Sequence, residues 1–233
     1  MAAWNSFYRQ FVTYNGYKSV LNGLLATVEI AVLGLVIGIV IGTLIAVVKV
    51  MPKYRLLPRI LEKVCDVYVA FFRGTPMVVQ LLIGYFVLMP AMGIVAEGVV
   101  VAIAIFGLNS GAYVSEIMRS GIQSVDGGQL EAGRAVGLPY RTAMLKIVIP
   151  QSIKNILPTL GNEFIVLVKE TSIVSFIAVS DLTKAFRAIG DANYEYIIPY
   201  LMLALVYLVI VMLITLGIRW MERRFKRSDR AAS

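Results

Sequence analysis

Apolar positions along this chain fall into long runs separated by short polar stretches. They show neither the alternation of a half-buried strand nor the single stripe of a soluble amphipathic helix. Runs of about 20 apolar residues can cross the hydrocarbon core of a bilayer. By that measure the sequence predicts about five spans, near 22–48, 64–89, 98–120, 155–178 and 197–218. Ahead of them, Trp4, Phe7, Tyr8, Phe11, Tyr14 and Tyr17 are interleaved with polar residues, as in a helix lying in the membrane interface. In the first span Gly34, Gly38 and Gly42 recur every four residues, so one helix face carries no side chains and another helix can approach closely. Tyr194, Tyr196 and Tyr200 mark one interface of the last span and Trp220 the other.

Three spans are interrupted by groups that lipid does not tolerate. The second contains Arg73-Gly74-Thr75-Pro76, where Pro76 removes a helix hydrogen bond and Gly74 loosens the turn before it. Such a break survives only where protein or a water-filled cavity covers the freed backbone. Arg73 itself either lines that cavity or snorkels to the cytoplasmic surface. In the third span Asn109, Tyr113 and Glu116 share a helix face, as interhelical glue or as a solute path. The fourth carries Pro158, Gly161, Asn162, Glu163, Lys169, Glu170, Thr171 and Ser172. Glu163 and Glu170 are seven residues apart, which puts them on nearly one face about 10 Å apart along the axis. Charged groups at such depth point to function, with a structural ion pair to Arg73 or a neighbouring span as the other reading.

Composition agrees with a membrane protein. The chain is 59% hydrophobic and 15% charged, against about 45–50% and about 25% in soluble domains. It reads as one transmembrane domain over 1–233, all-α. One cysteine, Cys65, and no histidine leave no basis for an internal disulfide, a zinc site or a histidine proton relay. Residues 1–20 lack the apolar core of a signal peptide, so the first span is expected to stay in the mature protein.

The net charge of +8 is concentrated in three segments. Lys49, Lys53, Arg55, Arg59 and Lys63 follow the first span, around Pro52 and Pro58. Arg119, Arg134, Arg141, Lys146 and Lys154 lie in or beside the connection at 121–154. Arg219, Arg223, Arg224, Lys226, Arg227 and Arg230 form the tail. Lys and Arg accumulate on the cytoplasmic side, which puts the N-terminus outside and the C-terminus in the cytoplasm. The charge is thus matched to membrane lipid, not nucleic acid. Pro90 to Glu97 and the polar stretch with Asp181, Lys184, Arg187, Asp191 and Glu195 then lie outside.

The connection at 121–154 has helix chemistry of its own. Asp126 can cap a first helix, Gly137 can take a left-handed cap, Pro139 suits a restart and Pro150 closes the second piece. A short helix, a tight corner and another short helix, held in water between two spans, read as a docking element.

These residues also carry a resemblance. Glu131-Ala132-Gly133, Gly137 and Ile147-Val148-Ile149-Pro150 resemble the EAA loop of ABC importer permeases, with Gly133 in place of the second Ala and Ile149 in place of Leu. Arg73 to Pro76, Asn109 to Glu116, Asn162 to Ser172 and Asp181-Leu182-Thr183 resemble the polar amino-acid branch of that family, the histidine, glutamine and arginine type with a MetI-like fold.

The resemblance implies a multi-pass permease of the bacterial inner membrane that translocates a polar amino acid. It implies a second permease subunit of the same or a homologous chain, an ABC ATPase dimer, and an extracytoplasmic amino-acid-binding protein. Glu131, Ala132, Gly133, Gly137, Pro139, Ile147 and Pro150 would couple to the ATPase. The candidate substrate residues are Arg73, Thr75, Met77, Asn109, Tyr113, Glu163, Glu170 and Ser172. Among them Glu163 would take the amino group, while Asn109 and the broken backbone after Arg73 would take the carboxylate. No glycine-rich loop followed by Lys-Ser or Lys-Thr is present, so ATP and Mg belong on the partner and no cofactor, metal or catalytic residue is expected here. An ion-coupled secondary amino-acid carrier using Glu163 and Glu170 is the alternative, although no internal repeat is visible. A channel lined by Asn109 and Glu163 is a third class.

Overall fold

The computed structural model describes residues 2–51, 54 and 56–230, with side chains given for 3–51, 54 and 56–224. Pro52, Lys53, Arg55 and the side chains of Lys226, Arg227 and Arg230 lie outside the described residues. The described elements are helical throughout. In order they are α1 (Ala2–Tyr8), α2 (Gly16–Val50), α3 (Leu56–Gly74), α4 (Met77–Ile83), α5 (Met89–Ala91), α6 (Gly98–Gln123), α7 (Gly127–Ala135), α8 (Tyr140–Ala143), α9 (Ile149–Glu170), α10 (Leu182–Asp191) and α11 (Ile197–Arg230). Gly16–Val50, Gly98–Gln123 and Ile197–Arg224 are each long and apolar enough to cross a membrane. At 35 residues, α2 is about 52 Å long, well beyond the roughly 30 Å of hydrocarbon.

Two predicted spans take other forms. The one at 64–89 is a pair, Leu56–Gly74 and Met77–Ala91, bent by 105° at the Gly74–Pro76 break. The one at 155–178 begins earlier, as α9, and ends in a 3₁₀ segment, Thr171–Ile177. Pro150 does not close a helix. It sits in the first turn of α9, directly after a π-turn, Met144–Val148, so α8 runs on into α9 without a stop. A π-turn shifts the hydrogen-bond register by one residue, which accommodates a proline that would otherwise collide with the carbonyl four residues back. The same arrangement recurs at Gly84–Leu88 before Pro90. Pro139 stands one place before the restart, as the N-cap of α8 with ψ 148°.

The glycine face of α2 lies against α6. A Cβ built on Gly34 would stand 3.0 Å from the Phe106 Cβ; on Gly38, 2.6 Å from the Ser110 Oγ; on Gly42, 2.7 Å from the Ser115 nitrogen. Contact that close gains dispersion and backbone attraction, which is what holds helices together where lipid is as apolar as leucine. At Gly161 of α9 a Cβ would meet Ile218 at 2.6 Å, so α11 crosses there. Ile30, Leu81, Phe106, Leu167, Val168 and Val174 fill the core between these helices. The α3 arm rests on α2 and α6 through Cys65, Tyr68, Val69 and Phe72.

The two ends of the bundle differ in chemistry. At one, Phe7 of α1 packs with Leu182, Phe186 and Ile189 of α10. There the fully buried Asp181 caps α10 by accepting from the Thr183 and Lys184 N–H groups at 2.9 and 3.0 Å. At the other, Lys49 of α2 bridges Asp66 of α3 and Glu116 of α6 at 2.9 and 2.8 Å. Glu116 also accepts from Arg119, so of its two readings the ion cluster fits interhelical glue and not the path beside Asn109 and Tyr113.

Candidate functional site

The 105° break is where the chain's polar residues meet. Gly74 has open space around it and Pro76 is extended (ψ 139°), so the α3 and α4 arms separate there and leave carbonyls at the end of α3 without helical partners. Gln80, buried in α4, reaches back to cover them. Its amide nitrogen donates to the Phe72 carbonyl (2.9 Å), the Thr75 carbonyl (3.0 Å) and the Thr75 Oγ1 (2.8 Å). The Thr75 hydroxyl is itself spent on the Phe71 carbonyl at 2.8 Å. On its other side the Gln80 Oε1 accepts from the Asn109 Nδ2 at 2.9 Å, and that nitrogen also approaches the Phe72 carbonyl at 3.3 Å.

Beside this knot lies a cavity of about 510 Å³, lined by Thr75, Pro76, Met77, Val78, Asn109, Tyr113, Glu163, Val166, Leu167, Glu170 and Ile173. Of the eight expected substrate residues, six line it: Thr75, Met77, Asn109, Tyr113, Glu163 and Glu170. Arg73 stands one layer back, its guanidinium 5.3 Å from the centre of the Tyr113 ring, a cation–π contact. Ser172 is in the 3₁₀ segment away from the lining, its carbonyl accepting from Ser175 at 3.2 Å. Glu163 is buried and accepts from the Ser110 hydroxyl at 3.0 Å, with no ion pair to Arg73 among the described residues. The expected role of Asn109 as donor to a carboxylate does not fit, because its amide nitrogen is committed to Gln80 and Phe72.

Gln80 itself is absent from the sequence reading. A lone glutamine in an apolar helix carries no spacing signal, although the carbonyls freed by Gly74 and Pro76 demand a donor somewhere nearby. Val166 and Ile173 were equally silent, since apolar residues in a span have no local mark of which face they take.

The second candidate constellation is the corner after α7. Asp126 accepts from the Gly128 N–H at 2.8 Å, which caps α7. Gly137 has φ +90°. The Leu138 N–H reaches the Gly133 carbonyl at 3.1 Å and the Gly137 N–H the Arg134 carbonyl at 3.0 Å, the double bond pattern of a Schellman stop. Gly133 is buried where α7 folds onto the next helix: a Cβ there would stand 2.8 Å from the Ile147 Cδ1. Glu131, Ala132, Gly137, Pro139 and Pro150 are exposed, and Val136 projects fully into the surroundings at 79% exposure.

Comparison with known proteins agrees with this anatomy. Residues 34–227 match the family described as binding-protein-dependent transport system inner membrane component. The arginine transport system permease protein ArtQ of Bacillus subtilis is 41% identical over 71% of this chain and 76% of its own length. A putative glutamine transport system permease protein, GlnP, of Rickettsia bellii is 40% identical over 88% of this chain and 92% of its own. A crystal structure of an amino acid ABC transporter with histidines superposes with a TM-score of 0.84 at 37% identity, covering 93% of this chain and 98% of that one. The MetNI methionine ABC transporter in an inward-facing form shares the fold, with a TM-score of 0.73 at 17% identity over 88% and 95% of the two chains. Nothing in these comparisons supports the ion-coupled carrier. With a match over most of its length and relatives this similar, the chain belongs to the binding-protein-dependent transport system inner membrane component family, as an ABC transporter permease.

Proposed function

We propose that this chain is the permease subunit of an ABC importer and that it carries a polar amino acid through the cavity at the Gly74–Pro76 break. The observation that carries the reading is that cavity: an intramembrane space with carboxylates on one wall and a broken helix on the other, in a chain of this family. Glu163 and Glu170 take ammonium groups. The α-carboxylate faces the first turn of the Met77–Ala91 arm, whose leading N–H groups have no intrahelical partner and carry the positive end of the helix dipole. Discontinuous helices whose ends point at a midplane solute are a recurring solution in transporters.

Energy enters at the other constellation. The α7–α8 corner docks on an ATPase dimer that holds ATP and Mg, with Glu131, Ala132 and Val136 on the face presented. A second permease subunit and an extracytoplasmic amino-acid-binding protein complete the machine. The N-terminus then lies outside the bacterial inner membrane and the basic tail in the cytoplasm, as the distribution of Lys and Arg requires.

The test is uptake by proteoliposomes holding the permease and its ATPase. Uptake should require internal ATP and added binding protein and survive an uncoupler; uptake that survives ATP removal and dies with the uncoupler would contradict the reading. In the same assay Glu163→Gln should lower uptake at least about tenfold, the cost of leaving one substrate ammonium without its charged partner. Assembly should be unchanged. Wild-type uptake in that variant would remove Glu163 from the solute site.

A further inference from the structure

We propose that a groove at the Lys49 end of the bundle is a binding site for an anionic phospholipid, with the lipid phosphate on Arg141 and an acyl chain along α2. This goes beyond the transport reading and needs only that α2 crosses a bilayer, so it stands or falls apart from the solute cavity.

The groove, about 270 Å³, lies between the last turns of α2 and α6 and the start of the continuous helix that runs through α8 into α9. Val47 and Val50 come from α2, Ile122 from α6, and Leu145 and Ile149 from the continuous helix. Val47 and Leu145 are 52% and 68% exposed, so the packing of this chain leaves apolar surface uncovered here. Of the described residues that line the groove, only Tyr140 and Arg141 bring polar side chains to it. Lys49 does not line it, being turned to Asp66 and Glu116.

Arg141 is exposed, and among the described residues it pairs with no carboxylate. A guanidinium with its donors unspent thus lines an otherwise apolar groove, a combination that suits an anion attached to hydrocarbon. A phosphodiester matches the fork of a guanidinium, and the Tyr140 hydroxyl supplies a further donor. A zwitterionic head group would bring an ammonium as well, and the lining holds no carboxylate to receive it. The acyl chain has a place too. Val36, Val40, Leu44 and Val47 are all exposed, at spacings of four, four and three, and form one stripe that leads along α2 into the groove. The stripe is about 16 Å long, close to one leaflet of a hydrocarbon core of roughly 30 Å. Basic pockets between helices at a membrane surface are a recurring form of head-group site.

The experiment uses phosphatidylglycerol and phosphatidylcholine, each carrying a photoreactive diazirine in one acyl chain. The full chain is labelled in nanodiscs, alone and with its ATPase bound, and adducts are mapped by peptide mass spectrometry. Adducts on Val47 to Met51 and on Met144 to Ile149 are scored as a share of all adducts on the chain. Phosphatidylglycerol should give a groove share at least about fivefold that of phosphatidylcholine, the preference that one basic side chain confers at a membrane surface. Arg141→Gln should bring the two lipids level while the chain stays monodisperse. Arg141→Lys, which keeps the charge, should retain most of the preference. Equal groove shares in the wild type, or an unchanged preference in Arg141→Gln, would overturn the site. Groove labelling that vanishes when the ATPase binds would mean that the ATPase and not lipid covers this surface, and would overturn the site as well.

Discussion

At the scale of single residues, the site is held by contacts that begin in the packing. Ser110 has two duties: it lies against Gly38 of α2, and its hydroxyl donates to Glu163. The small-residue face that lets α2 and α6 meet therefore also aims the Glu163 carboxylate on the cavity wall. A Cβ at Gly38 would stand 2.6 Å from the Ser110 Oγ, so even alanine must displace that hydroxyl. We expect Gly38→Ala to cost about 1–3 kcal/mol of stability by overpacking, read as a lower thermal midpoint in detergent, and to reduce uptake as well. A midpoint and an uptake equal to wild type would mean that the helices have slack at this crossing. The glycines at 34, 38 and 42 could be read from their spacing alone. Their partners on α6, Phe106, Ser110 and Val114 beside Gly107, Gly111 and Ser115, also recur every four residues, but a period shows a face and not which helix meets it.

Among the elements, the sequence was most informative where a residue has a unique backbone role. Gly137, Asp126 and Pro76 each do in the structure what their chemistry requires: a positive φ, an N-cap and a helix break. Pro150 misled, because a π-turn offers a proline a way into a helix that local propensity does not reveal. Glu116 misled for another reason. Helical spacing gives the face of a side chain but not its depth, and seven residues below Asn109 the same face has reached the charged end of the bundle, where Lys49 and Arg119 meet it. That cluster joins three elements. Lys49 is nearly buried at 10% side-chain exposure, whereas Asp66 is 57% exposed. Lys49→Met should therefore leave the partly buried Glu116 Oε1 without its partner and cost about 1–3 kcal/mol. Asp66→Asn should stay within about 1 kcal/mol, as for an exposed pair. Thermal unfolding of both variants checks the order; an equal loss in the two would mean that Asp66, not Glu116, is the main partner of Lys49.

For the whole molecule, the account joins two sites at different places in one helical body. From Tyr140 the chain runs without a stop through α8, the π-turn and α9, so the end of the α7–α8 corner and the Glu163–Glu170 wall of the cavity lie on one continuous helical rod. On the proposed reading, a push on the corner has a direct route to that wall. Most of this was legible as a class, from the apolar runs, the basic segments and the punctuated connection. The rod was not, since Pro150 reads as its end. The central claim is that work done by the ATPase enters through the α7–α8 corner, and Gly137 tests it most directly. Its φ of +90° costs a β-branched side chain roughly 1–2 kcal/mol. A Cβ there would meet nothing of this chain within 4 Å, so the substitution acts on the shape of the corner and on whatever docks there, not on the permease core. The measurement is binding-protein-stimulated ATP hydrolysis by the reconstituted importer, with the ATPase retained by the permease scored in the same preparation. Gly137→Val should remain in the membrane, retain less ATPase and lose most of the stimulation. Full retention with full stimulation would contradict the account.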